Sequence, residues 1–156
     1  MNSYEEYIHQ SRYARYLPDE ERRETWEETV SRYISNVVGD KVPERTRKAL
    51  HYAILDREIM PSMRALMTAG PALERDNVAG YNCAYVAVDD RRVFDEIMYI
   101  LMCGTGVGFS VERRYITQLP TVAEEFFDDG SIEIHVADSR IGWATAYRKL
   151  VSSLYD

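Results

Sequence analysis

Two cysteines and a glycine-rich run are the residues of this sequence that could carry chemistry. Cys83 follows Asn82 at the start of an apolar, β-prone run, and Cys103 directly precedes the run 104–108 (GTGVG). A thiol becomes a nucleophile or a reductant where its surroundings lower its pKa. Free cysteine is also among the most buried residue types. On residue types alone, an inert core thiol is the simpler interpretation of both cysteines.

The glycine-rich run 104–108 has two interpretations. Glycines let a backbone approach a ligand closely and present its amides to a phosphate or a base, but they also make tight turns. A dinucleotide-binding fingerprint needs glycines that follow a strand and open a helix. Here they follow a predicted helix and open a predicted strand, which disfavours a small Rossmann-like oxidoreductase and leaves the turn and the ligand cradle both open.

Other kinds of site find little support. The histidines His9, His51 and His135 lack the close spacing of zinc ligands, so no metal site is predicted. The carboxylate runs near residues 20 and 125 are most simply solvated faces, and no nucleophilic triad can be argued.

Composition bounds the class of protein. The 156 residues, 46% of them hydrophobic and 29% charged, are enough for about one soluble domain. The net charge of −7 argues against a general binder of nucleic-acid backbones. No apolar run is long enough to span a bilayer and no signal peptide begins the sequence, so a membrane location is not expected and a reducing cytoplasm is the default.

The elements that position these residues begin with a helical region over 1–60. Ser3 and Glu6 have capping-box spacing, and Pro18 with the acidic run 19–21 is predicted to open a second helix. A third helix is predicted to follow Pro43. An apolar stripe at helical period marks the second helix: Trp26, Val30, Tyr33, Ile34 and Val37. In the third helix, Leu50, Ala53 and Ile54 are predicted to face inward.

An irregular stretch over 60–82 is predicted to lead into a strand-helix-strand unit. Residues 83–88 are predicted to form a short buried strand and 107–111 a second strand, as in a parallel sheet. Asp89 and Asp90 can cap the helix between them. Its shared apolar face is predicted to consist of Phe94, Ile97, Met98 and Leu101.

Beyond a loop at Pro120, a strand and a helix are predicted. An acidic patch (Glu124, Glu125, Asp128 and Asp129) leads to Gly130. Alternating Ile132, Ile134 and Val136 predict a half-buried strand. Asp138 or Ser139 is predicted to cap a final helix, with Trp143, Tyr147, Leu150 and Leu154 on one face.

Several segments taken in order resemble the adenosylcobalamin-dependent (class II) ribonucleotide reductases, closest to the monomeric ribonucleoside-triphosphate reductase type. These are 59–66 (IMPSMRAL), 81–88 (YNCAYVAV), 104–111 (GTGVGFSV) and 138–143 (DSRIGW), together with the run around 21–30. The resemblance covers nearly the whole chain. It implies an α/β fold in which an N-terminal helical region, 1–60, precedes the first strands and helices of a ten-stranded α/β barrel, begun but incomplete over 61–156.

The resemblance also implies roles for individual residues. Cys83 matches one half of the dithiol that reduces the substrate and becomes a disulfide. Ser62, Asn82 and Gly106 fall where the family contacts the ribonucleotide. Asp90 and Arg114 fall near the site of the deoxynucleotide effector.

The activity implied is radical reduction of ribonucleotides to deoxyribonucleotides, the step that supplies DNA replication. Adenosylcobalamin homolysis makes a thiyl radical on a further cysteine, and a thioredoxin-type reductant restores the dithiol. The radical cysteine, the acid/base glutamate, the second dithiol cysteine and most of the cobalamin site have no counterpart in this sequence, and Cys103 cannot replace them. We therefore expect a chain that works with a C-terminal remainder, as a split or truncated reductase and inactive alone. The alternative is a non-catalytic nucleotide-binding or interaction module.

Overall fold

The computed structural model describes residues 1–122 and 133–155. The chain divides into two compact units, Met1–Tyr81 and Asn82–Asp156. The first unit is helical apart from one small hairpin, and the second combines helices with a parallel pair of strands. No helix of the described residues is long and apolar enough to cross a membrane.

The first helix, α1 (Ser3–Arg12), has its N-cap one residue earlier than predicted. Asn2 is the N-cap: its side chain accepts from the Glu5 amide at 2.9 Å, and Glu5 accepts from the Asn2 amide at 2.8 Å. The predicted capping box of Ser3 and Glu6 is therefore wrong by one position. Asparagine caps as well as serine, and this register also places an acid three residues after the cap.

The predicted helix start at Pro18 is also wrong. Pro18–Glu20 is a 3-10 turn that joins β1 (Tyr16–Leu17) to the antiparallel β2 (Arg22–Arg23). The helix α2 (Trp26–Tyr33) starts later, where Thr25 and Glu28 form a complete capping box. That reciprocal pair satisfies two free amides, whereas no side chain caps the turn at Pro18.

The core of the first unit lies between α2 and α3 (Glu44–Leu55), which follows Pro43 as predicted. α2 continues as a π-helical segment, Ile34–Val38, that ends at Gly39, where φ is 51°. The buried centre of this core consists of Val30, Ile34 and Ile54, and much of the predicted stripe packs around these residues. Val38, rather than the predicted Val37, joins that cluster, because the π segment rotates the face.

The stretch 60–82, predicted to be irregular, is largely helical. It contains α4 (Met63–Thr68), α5 (Pro71–Arg75) and a 3-10 turn, Asn77–Gly80. The glycines and prolines of this stretch predict loops, but in the structure they end and restart short helices. Gly70 shows this with φ of 99° at the N-cap of α5.

In the second unit, the predicted strand-helix-strand order is confirmed. β3 (Cys83–Ala87) and β4 (Gly106–Ser110) pair in parallel, and α6 (Val93–Met102) connects them. The prediction that β3 is buried is wrong, since Cys83 and Tyr85 are exposed. Only two strands pair among the described residues of this unit, so β3 has one unpaired edge there and lacks the cover of a larger sheet.

The helix α8 (Arg140–Ser152) follows the short α7 (Arg113–Ile116) and packs against α6. Ser139 caps α8 through the Gly142 amide, as one of the two predicted caps. α6 lacks its predicted side-chain cap, because Asp90 accepts from the Arg92 amide just before the helix. No strand forms over 133–136, the described part of the predicted strand 132–136, while Ile132 and the acidic patch lie outside the described residues.

The apolar faces predicted for α6 and α8 exist, but they are half-buried or exposed rather than buried. Phe94, Ile97, Met98, Leu101 and Tyr147 line a groove of about 440 Å³ on this unit. The buried residues of the two helices are instead short or charged: Val93, Asp95, Ala144, Ala146 and Val151. Helical periodicity identified an apolar face without showing what covers it.

Candidate functional site

The parallel pairing places Asn82, Cys83 and Gly106 together. Cys83 lies opposite Gly106 in the register of β3 and β4, and the Gly106 amide donates to the Asn82 carbonyl at 2.9 Å. All three residues thus lie at the amino ends of the two strands. Cys83 and Gly106 are far apart in the sequence. Only the predicted parallel pairing of their strands indicates that they lie close together.

The sequence left two interpretations of the glycines in the run 104–108, a tight turn and a ligand cradle, and different glycines fit each. Gly104 has φ of 82°, so it makes the tight turn between α6 and β4. Gly106 and Gly108 have no positive φ and lie within the strand. A Cβ on Gly106 would meet only the Asn82 carbonyl oxygen, at 3.6 Å, an ordinary contact. The second unit thus has no structural need for glycine at Gly106, as expected where a ligand approaches the backbone closely.

The two cysteines differ in their surroundings. Cys83 is an exposed free thiol, so the interpretation of it as a buried core residue is wrong. Cys103 is buried, and Nη1 of Arg140 donates a hydrogen bond to its sulfur at 2.9 Å. A solvent-accessible thiol can reach a substrate or an external dithiol, whereas a buried one cannot. The structure therefore makes Cys83 the chemically available cysteine.

Asp90 and Arg114 lie beyond the other, carboxyl ends of the same two strands. Asp90 accepts from the Arg92 amide at 2.7 Å. Arg114 pairs with Glu112 at 2.7 Å, and its guanidinium lies 4.7 Å from the centre of the Tyr115 ring. Five residues of strand at about 3.3 Å each separate these residues from Cys83 by roughly 15 Å. Any site of Asp90 and Arg114 is thus separate from a site at Cys83.

Ser62 lies in the first unit, where it is the N-cap of α4. Its hydroxyl oxygen accepts from the Ala65 amide at 3.4 Å, a long hydrogen bond. Serine at an N-cap is fully explained by that local role. A contact with a nucleotide would be additional to it.

Two polar links within the second unit escaped the sequence analysis. Arg140 contacts Cys103, and Arg148 pairs with the buried Asp95, whose Oδ1 has no hydrogen-bond partner among the described residues. The hydrogen bond from Arg148 to Asp95 raises the pKa of the guanidinium. Each link joins residues far apart in sequence, so no local spacing signals it. Among residues 1–122 and 133–155, no group of three His, Cys, Asp or Glu could hold a metal ion.

Comparison with known proteins gives a consistent result. No protein-family model matches the chain. The adenosylcobalamin-dependent ribonucleoside-triphosphate reductase of Lacticaseibacillus paracasei is 31% identical over 71% of this chain and 20% of its own length. The enzyme of the same name from Lactobacillus helveticus is 29% identical over 70% of this chain and 19% of its own. A crystal structure of a B12-dependent, class II ribonucleotide reductase matches 96% of this chain and 29% of its own, with a TM-score of 0.72 at 24% identity.

The chain is a homologue of the class II ribonucleotide reductases. The resemblance found in the sequence is thereby confirmed, and the mixed helix and strand fold is shared with a class II reductase. The chain spans about a fifth of the length of the curated class II relatives it matches.

Proposed function

We propose that this chain contributes to a class II ribonucleotide reductase, in which Cys83 is one thiol of the dithiol that reduces the ribonucleotide. The observation that carries the proposal is the exposed Cys83 thiol at the start of β3, opposite the unobstructed Gly106 of β4. A substrate ribose held against Gly106 would lie within reach of that thiol. The names of the relatives specify adenosylcobalamin-dependent reduction of ribonucleoside triphosphates, the overall reaction that this thiol would serve.

The proposed reaction balances in atoms and electrons. The C2′–OH bond of the ribose breaks, its hydroxyl leaves as water, and a hydrogen takes its place at C2′. Two thiols lose two electrons and two protons and form a disulfide, so that Cys83 and a second cysteine pass from reduced to oxidised. A thioredoxin-type dithiol then restores them by exchange.

Substrate and effector would bind at opposite ends of the strand pair. We assign the ribonucleotide to Asn82 and Gly106, with Ser62 as a further contact, and the deoxynucleotide effector to Asp90 and Arg114. The Arg114 guanidinium is a cation suited to a phosphate oxygen. Its ion pair with Glu112 would have to rearrange for that contact.

The remaining parts of the proposal concern residues outside this sequence. Adenosylcobalamin would supply the radical that starts the reaction, and most of its site would belong to a C-terminal remainder, together with the radical cysteine and the other strands of a ten-stranded barrel. The open apolar faces of α6 and α8 and the exposed β3 support a chain that packs against further protein. We propose that this chain alone is inactive.

The test is ribonucleotide reduction with adenosylcobalamin and a dithiol. It compares the chain alone, the chain with a separately supplied C-terminal remainder, and that pair carrying Cys83→Ser. Tyr85→Phe, an exposed position two residues along the same strand, is the matched control. We expect turnover only in the pairs that retain Cys83.

Two results would reject the catalytic role. One is a Cys83→Ser pair as active as the control pair. The other is an inactive wild-type pair whose pieces fold and bind ribonucleotide, which would favour the non-catalytic nucleotide-binding module instead.

A further inference from the structure

The path from α6 to β4 is short and held by successive hydrogen bonds. The Gly104 amide donates to the Leu101 carbonyl at 2.9 Å, and the Thr105 amide donates to the Ile100 carbonyl at 3.3 Å. Thr105 is buried, at 1% exposure, and the next residue is Gly106. Two residues therefore separate Cys103 at the end of α6 from the glycine opposite Cys83, so a displacement of the helix end would be passed to that glycine.

The side chain of Cys103 is held at this point by a residue from a different helix. Nη1 of Arg140, in the first turn of α8, donates to Cys103 Sγ at 2.9 Å. Cys103 is 7% exposed and Arg140 is half-buried, so this charged donor meets the sulfur largely out of water. A hydrogen bond from a charged donor is stronger than a neutral one. The start of α8 is itself fixed by the cap from Ser139 to Gly142.

We infer that Arg140 and Cys103 form a positioning pair that holds the turn 104–105 and thereby places Gly106 beside Cys83. This inference rests on the proposed function, because it assigns the substrate to Gly106. Cys103 acts here as a hydrogen-bond acceptor. It is neither a nucleophile nor a redox group, because its burial keeps it from external thiols.

The acceptor role distinguishes two substitutions at Cys103. Cys103→Ser retains an acceptor of similar shape, whereas Cys103→Ala removes it. Arg140→Met removes the donor but keeps an extended side chain. Lys149→Met, an exposed cation on the same helix, is the matched control for loss of one positive charge from α8.

Two readouts test the pair. The first is hydrogen exchange of the Gly106 amide in the 156-residue chain, measured by NMR. The second is the ribonucleotide KM and kcat of the chain with its C-terminal remainder. Arg140→Met and Cys103→Ala should each raise the exchange rate and the KM about tenfold, the effect of losing one charge-assisted hydrogen bond. The kcat should change by less than about twofold, because the pair touches no reacting atom.

Cys103→Ser should keep KM within about twofold of the wild type, and the Arg140→Met/Cys103→Ala double variant should be no worse than either single variant. If the KM increases of the two single variants multiply in the double variant, Arg140 and Cys103 act independently and the inferred positioning pair is rejected. A Cys103→Ser as impaired as Cys103→Ala would show that the thiol itself is needed and would equally overturn it.

The exchange measurement separates this inference from the proposed function. Gly106 exchange that is the same in Arg140→Met as in Lys149→Met would reject the positioning pair whatever the activity. If the wild-type chain and its C-terminal remainder are inactive together but the exchange changes as expected, the proposed function fails, and with it the functional half of the inference. The structural link from Arg140 to Gly106 would then still stand.

Discussion

Arg32 uses every N–H of its guanidinium inside the first unit. It holds both oxygens of Glu24, at 2.7 and 2.8 Å, and donates to the backbone carbonyls of Leu66, Ala69 and Tyr13. The side chains of Arg32 and Glu24 are 11% and 7% exposed. One residue thus ties α2 to α4 and to the end of α1. We predict that Arg32→Met destabilises the first unit more than any loss of a surface ion pair.

The magnitude follows from what the substitution leaves behind. Removing one partner of a buried ion pair costs about 3–5 kcal/mol, because the other charge remains desolvated. Glu24 would retain only the Arg15 amide at 3.0 Å and the Thr29 hydroxyl at 3.1 Å. The three backbone carbonyls that lose Arg32 as a donor add no further loss of stability, because water can enter beside a methionine. An 81-residue unit has a total stability of about 4–12 kcal/mol, so the loss is a large fraction of it.

The assay is urea unfolding monitored by tryptophan fluorescence. Trp26 reports on the first unit, where its indole donates to the Leu55 carbonyl at 3.0 Å. A Trp143→Phe background removes the other tryptophan, which lies in the second unit. With a urea dependence near 1.5 kcal/mol per molar, a loss of 3 kcal/mol lowers the midpoint by about 2 M.

Two variants make the result interpretable. Lys48→Met breaks the exposed pair of Lys48 with Glu44, and it should shift the midpoint by less than about 0.3 M. Arg32→Lys keeps the charge without the planar fork, so its midpoint should lie between Arg32→Met and the wild type. An Arg32→Met midpoint that falls no further than that of Lys48→Met would refute the reasoning.

Three more predictions concern single positions. Gly142→Ala should lower the free energy of unfolding, measured by thermal unfolding, by about 1–3 kcal/mol, because its Cβ would lie 2.2 Å from the Ala137 carbonyl oxygen. Unchanged stability would contradict that geometry. Burial lowers the His9 pKa below its ordinary 6.5, so the unfolded chain takes up the proton first as pH falls. Stability should therefore decline below about pH 6.5 in urea unfolding, and His9→Gln should flatten that decline; an equal slope in both would oppose the assignment. Gly106→Ala should leave the melting temperature within about 2 °C, since its Cβ has room, while ribonucleotide affinity falls at least about tenfold in calorimetry; retained affinity would remove Gly106 from the site.

Local sequence signals predicted which helices and strands form better than they predicted the burial of those elements. The β3-α6-β4 order followed from β-prone runs around a helical period, and the start of α3 followed from Pro43. Asn2, Ser3 and Thr25 are all competent caps with an acid three residues later, so this spacing alone does not choose between Asn2 and Ser3. The predicted start is wrong at Ser3 for that reason, and wrong at Pro18 because the stronger capping signal lies at Thr25 and Glu28.

Burial and long-range contacts could not be predicted in the same way. Period-two and period-3.6 patterns identify an apolar face, but they do not reveal whether another element covers it. The exposure of Cys83 depends on how many strands pair beside β3. The contact of Arg140 with Cys103 joins the start of one helix to the end of another across 37 residues, a separation at which spacing carries no information. The roles of the site residues came from the family resemblance rather than from any pattern in the residues.

The most direct test of the central claim is a single-turnover oxidation of Cys83. The chain and its C-terminal remainder, reduced and freed of external dithiol, receive ribonucleotide and adenosylcobalamin, and are then unfolded and alkylated for mass spectrometry. Our account predicts one Cys83 lost to a disulfide for each deoxyribonucleotide formed, while the buried Cys103 stays fully alkylated. Deoxyribonucleotide formed with Cys83 still alkylated would contradict it.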